Sequence, residues 1–223
     1  MRYLFGLFFF LMFASFLVTG GIWVLYRLFT GFSGGPNSKA TDRLVKQLRK
    51  QLQAARTKLV PWDKEMLSLL SLNKSEERKA NAWGRPASGT YQSIYHEPVV
   101  TYAKQRVGKT ELILVQTSEK EFVFKRKGNE TSIWVNGNPL GVFIDGLLMA
   151  PGNKSALLAS LEKNESDADF HLDLDKNPAA AITNPEKASG PNPRAMTLLR
   201  DLSEKEEETV LALTMLQAVE EKK

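Results

Sequence analysis

The chain has 223 residues, with 30 Lys and Arg against 25 Asp and Glu for a formal charge of +5, two histidines and no cysteine. Those numbers exclude a disulfide-stapled scaffold and leave little material for a zinc centre or a nucleophile-base constellation. The charge is uneven, +2 through Asn37, +6 from Ser38 to Lys58, zero from Leu59 to Leu199 and −3 from Arg200 onward. The body of the chain therefore lacks the basic footprint that phosphate neutralisation demands of a nucleic-acid binder.

From Tyr3 to Tyr26 there are 24 residues without a charge, more than the roughly 20 apolar residues a bilayer-spanning helix needs. Tyr3 at one end and Trp23 and Tyr26 at the other suit the headgroup zone as interface anchors, with Arg27 within reach of the phosphates. The stretch exceeds a secretory signal's hydrophobic core and no Ala-x-Ala follows it, so residues 1–32 are expected to stay as a single transmembrane anchor. Arg2 precedes the span, whereas Arg27, Lys39, Arg43, Lys46, Arg49 and Lys50 follow it. The positive-inside rule then puts the C-terminal domain in the cytoplasm, as in a single-pass protein of a bacterial inner membrane. Sequons at Asn73, Asn129, Asn153 and Asn164 would oppose this only in a eukaryotic lumen.

Residues 33–38 are Gly/Ser/Pro-rich and form a joint. Residues 39–60 follow as a basic amphipathic helix with Leu44, Leu48, Leu52, Ala55 and Leu59 on one narrow apolar seam. Two uses of that seam stand open. One is packing on its own domain or on the membrane, and the other is self-association through residues 44–59 or contact with a membrane protein partner. The cations beside it suit anionic lipid headgroups, at about 1 kcal/mol per basic residue near the surface. Residues 61–88 read as a short helix over Trp62–Leu72, opened by Pro61, and a polar linker over Asn73–Ser88.

Residues 89–223 form a β-rich domain with a C-terminal helix. Short β-branched and aromatic runs from Thr90 to Ala150, with Asn136-Gly137 as the clearest turn, predict an antiparallel meander without crossover helices. Imperfect alternation in Phe122-Val123-Phe124 and Ile133-Trp134-Val135 predicts a sheet covered on both faces. Pro151–Asn164 reads as a turn and a short helix through Leu157, Leu158 and Leu161. Asp169–Leu174 reads as a strand, and Lys176–Pro193 as a surface wrap containing a strand over Ala179–Thr183. Asp167, Asp169, His171, Asp173 and Asp175 alternate along one strand face, which reads as a solvated face rather than a cation site. The last helix is announced by a capping box, Ser203 with Glu206, and is apolar nearly all round from Val210 to Val219. At about 10 residues that run is too short to span a bilayer, so Val210, Leu213 and Leu216 are expected in a protein core.

Ala103–Thr110 satisfies a loose phosphate-loop pattern, but a strand follows where a helix must open, so Gly108-Lys109 reads as a hairpin turn. No catalytic, cofactor or metal residue emerges. Leu112-Ile113-Leu114-Val115-Gln116-Thr117 running into Glu121–Lys125, then Val135–Phe143, and the acidic-capped Leu211-Ala212-Leu213 helix together resemble the tubby-like and phospholipid-scramblase superfamily, which includes the LURP-one-related proteins. The resemblance covers about residues 89–219, less than that family's usual domain, and the span here precedes the barrel instead of ending it. It implies a barrel around an axial helix and a binding or tethering module at a membrane, with no catalytic residue and no lipid-transport activity carried over. The expectation is an α+β protein that binds or scaffolds at the cytoplasmic membrane face. The alternative is an accessory subunit of a larger membrane complex.

Overall fold

The computed structural model describes residues 39–80, 86–152, 156–163 and 167–220. The expected span, its anchors Tyr3, Trp23 and Tyr26, Arg27 and the joint at 33–38 lie outside the described residues. Among those described, no helix is long and apolar enough to cross a membrane. One compact unit begins at Leu44.

Twelve strands run in chain order: β1 Leu70–Arg78, β2 Ala87–Ser93, β3 Pro98–Val107, β4 Thr110–Gln116, β5 Glu121–Lys127, β6 Glu130–Val135, β7 Asn138–Ile144, β8 Leu147–Met149, β9 Leu157–Glu162, β10 Asp169–Leu174, β11 Asn177–Thr183 and β12 Met196–Leu198. Each pairs antiparallel with its sequence neighbour in one sheet. The ends approach each other through a bridge between Ser71 and Arg194. There the Leu72 N–H donates to Pro193 O at 2.9 Å and the Ala195 N–H to Leu70 O at 2.7 Å. The result is a nearly closed barrel. Helices α1, Lys39–Arg56, and α2, Met66–Leu69, precede the strands, and α3, Glu204–Val219, follows them.

An eight-stranded barrel is filled by its own side chains, and a wider one needs something else inside. Here that is α3, whose residues from Thr209 through Val219 are all buried. A helix with its side chains is about 10–12 Å across. Val210, Leu213 and Leu216 join one core with inward residues such as Ile113, Phe122, Phe124 and Ile133. The intervening residues Leu112, Leu114, Val123 and Trp134 face outward, where Val45, Leu48 and Leu52 of α1 cover them. Strands β4 to β6 are thus buried on both faces, which is why their hydrophobic alternation is blurred.

Several elements differ from the sequence reading, among them β12, where no strand was expected. The helix expected over Trp62–Leu72 is only Met66–Leu69, and the expected linker begins as β1. β1 is polar and largely exposed after Leu72, register shifts interrupt its pairing with β2, and Glu76 takes a φ of 51° within the second irregularity. The helix expected in 151–164 is β9, held between β8 and β10. Leu157, Leu158 and Leu161 have helical spacing, but the neighbouring strand edges supply hydrogen bonds that a six-residue helix could not match.

Candidate functional site

The inward face of the barrel changes character near the end of α3. Register places Arg106 opposite Glu111, Glu111 opposite Arg126, Arg126 opposite Thr131 and Thr131 opposite Phe143. Each of the first four lies two residues from an inward position of the layer Lys104, Ile113, Phe124 and Ile133, so all four share the inner face. Ile113, Phe124 and Ile133 are at most 1% exposed against α3. One step further out the helix has ended, and the strand wall carries charge instead.

What remains is an open basin of about 880 Å³. Lys104, Arg106, Lys109, Arg126 and Lys163 line it, together with Glu111, Asp145 and Glu220. Its rim is made by hairpins turning at Gly108, Gly128 and Gly146, with φ of 60°, 61° and 85°. Gly146 is also constrained by space, because a Cβ there would stand 2.7 Å from the Leu161 carbonyl oxygen. Gly108-Lys109 joins β3 to β4 as the expected turn.

Lys104 is only 8% exposed, and its ammonium donates to Val219 O at 3.0 Å. Arg126 pairs with Glu220 at 2.8 Å and with Glu111 at 3.5 Å, and its Nε donates to Thr131 Oγ1 at 3.4 Å. Lys163 reaches the other Glu220 oxygen at 3.5 Å. With five cations against three carboxylates around an open basin, the array offers positive donors to an anion.

The opposite end of α3 is acidic and tied down. The Ser203 N–H donates to Glu206 Oε2 at 2.8 Å, closing the capping box. Arg200 and the Ser203 bonds hold the Glu206 carboxyl down at about 2. Lys120 pairs with Glu208 at 2.8 Å and Glu204 at 3.1 Å. Burial pushes the Lys120 ammonium down, but those two carboxylates outweigh it and leave it above its ordinary value.

Of the residues singled out from sequence, Val210, Leu213 and Leu216 lie in the barrel core. Lys39 opens α1, and Arg43, Lys46 and Lys50 are exposed. Arg49 turns to the barrel instead, where its Nε and Nη2 bond the Glu121 carboxylate at 2.8 and 2.6 Å. Gln116 Nε2 donates to the same carboxylate at 2.8 Å. Burial pushes the Glu121 carboxyl up, but the bonds from Arg49 and Gln116 prevail and its pKa is lowered. The seam residues Leu48 and Leu52 are 0% and 2% exposed, packed on the sheet. In the 167–175 segment, Asp169, His171 and Asp175 are exposed, and among the described residues no three His, Cys, Asp or Glu side chains converge to hold a metal ion.

The basin itself was not anticipated. Its signal was present in β5, where Phe122, Phe124 and Arg126 fall on one side of the strand, so an inward Phe face ends in an inward Arg. Comparison with known proteins finds no matching family model, no matching curated protein and no matching solved structure.

Proposed function

We propose that this chain is a membrane-anchored, non-catalytic binding module that receives an anionic group, the phosphate of a lipid headgroup, in the mouth of its barrel. The observation that carries the reading is the inward ring of Arg106, Glu111, Arg126 and Thr131 placed just beyond the end of the enclosed helix. A polar, cation-lined concavity at one end of a barrel whose core is filled by α3 is where a ligand can enter. At the same end, Val107 is 51% exposed on the β3–β4 hairpin that also carries Lys109, and Leu147 is 43% exposed on the β7–β8 hairpin, with Lys127 on the neighbouring β5–β6 hairpin. Apolar tips beside cations suit the boundary between headgroups and acyl chains.

The test is calorimetric titration of the full-length protein in neutral detergent with short-chain phosphatidate, using short-chain phosphatidylcholine, a zwitterion of zero net charge, as the comparison. Binding of phosphatidate alone, weakened by salt and lost in Arg126→Met, is expected. Equal binding of both lipids, or unchanged binding in that variant, would remove the mouth from the function. A stoichiometric copurifying partner would instead favour the subunit reading.

A further inference from the structure

The mouth already contains an anion of its own. Glu220 is the first residue after α3, and its carboxylate bridges Arg126 at 2.8 Å and Lys163 at 3.5 Å. These cations come from different parts of the wall, Arg126 from β5 and Lys163 from the residue after β9. An acidic side chain at a helix C-terminus faces the negative end of the dipole, where cations are the stabilising choice. That end is already served by Lys104 on Val219 O and by the Tyr91 hydroxyl on Ala218 O at 2.5 Å. The helix needs no acid there; the cation pair across the mouth does.

We propose that Glu220 is an internal stand-in for the ligand, and that an incoming phosphate binds by displacing its carboxylate from Arg126 and Lys163. The inference rests on the mouth being an anion site and names the pair that receives the anion. Displacement is structurally cheap. The Glu220 side chain is 40% exposed, so it can swing to water without unburying apolar surface. Arg126 keeps Glu111 and Thr131 as partners and stays aimed across the basin. Lys104 and Tyr91 hold the last turn of α3 without help from Glu220. A phosphate brings more negative charge and three acceptor oxygens where the carboxylate has two, so it can span the same cations more strongly. The internal carboxylate then lowers apparent affinity and rejects monovalent anions that cannot outcompete it.

The full-length protein in neutral detergent is titrated with short-chain phosphatidate and separately with inorganic pyrophosphate, comparing wild type, Glu220→Gln and Asp145→Asn. Asp145 lines the same mouth, and its variant removes one charge without breaking the Glu220 contacts. Glu220→Gln is expected to bind about fivefold tighter, the scale of releasing partly exposed ion pairs, while Asp145→Asn gains less than about twofold from general charge. Tightening with both probes assigns the site to phosphate itself, and tightening with phosphatidate alone assigns it to the lipid. Wild-type binding with no gain in Glu220→Gln, or an equal gain in both variants, overturns the stand-in while leaving the mouth as a binding site. No binding by either wild type or Glu220→Gln overturns the mouth and the stand-in together. Glu220→Ala repeats the measurement should the Gln amide retain a bond to Arg126.

Discussion

The Lys104 ammonium donates to the Val219 carbonyl oxygen at 3.0 Å, so a side chain from the strand wall closes the last turn of a helix buried from Thr209 to Val219. The final carbonyls of a helix have no partner within it, and burying them bare is costly. Tyr91 completes the closure on Ala218, and burial, with Tyr102 and Glu77 nearby, pushes its hydroxyl well above its usual pKa, keeping it a donor.

Replacing Lys104 by Met keeps the stem and removes the donor. The expected loss is about 1–3 kcal/mol of stability, the cost of a buried acceptor left bare. Tyr91→Phe should lose a similar or smaller amount. Urea denaturation followed by circular dichroism checks both, and an unchanged midpoint in Lys104→Met would show that water replaces the ammonium.

Leu213 is 0% and Leu216 1% exposed inside the barrel. Alanine at either position is expected to cost about 2–5 kcal/mol. Aspartate at both should abolish the folded sheet, because a charge there has no partner and no route to water. A cooperative melt in the Leu213→Asp, Leu216→Asp variant would contradict the enclosed helix.

Glu121 ties α1 to the barrel through Arg49. Its pKa is lowered on folding, so this pair stabilises the docked helix above the ordinary carboxylate range, and the contribution is lost as pH falls through the lowered folded value. Amides of α1 should therefore lose hydrogen-exchange protection on acidification from about pH 6 to about pH 3, ahead of those in β4 and β5. In Glu121→Gln this acid-side loss should vanish, and Arg49→Met should reduce α1 protection even at neutral pH. Parallel loss in helix and strands would show that α1 and the barrel open as one.

Glycine is demanded unequally around the mouth. Gly146 has a φ of 85° and no room for a Cβ before the Leu161 carbonyl, whereas Gly128 has a φ of 61° and open space around it. Gly146→Ala is expected to cost about 1–3 kcal/mol and Gly128→Ala about 1. Thermal melts of the two variants give the comparison, and equal shifts would mean that backbone conformation alone sets the cost.

The parts readable without coordinates were those whose evidence is local. Ser203, Glu206 and an apolar run from Val210 to Val219 mark a helix that must be enclosed, and the β-branched runs around Asn136-Gly137 mark the meander. β1 was not readable, because its residues after Leu72 are mostly polar and its pairing is interrupted. β9 was misread, since Leu157, Leu158 and Leu161 fit either period and only flanking strands choose between them. Counting charge by segment also hid the mouth, because a neutral body can still hold cations gathered at one end.

Sequence alone decided that a helix apolar on every side needs a protein envelope, because desolvating ten residues of one short helix has no other solution in water. The tertiary structure alone decided which residues meet where that envelope opens. Arg106, Glu111 and Arg126 lie on three strands, and only antiparallel register aligns them beyond the end of α3, within reach of Glu220. Register is a relation between segments, set by pairing along the whole sheet, and no single segment carries it.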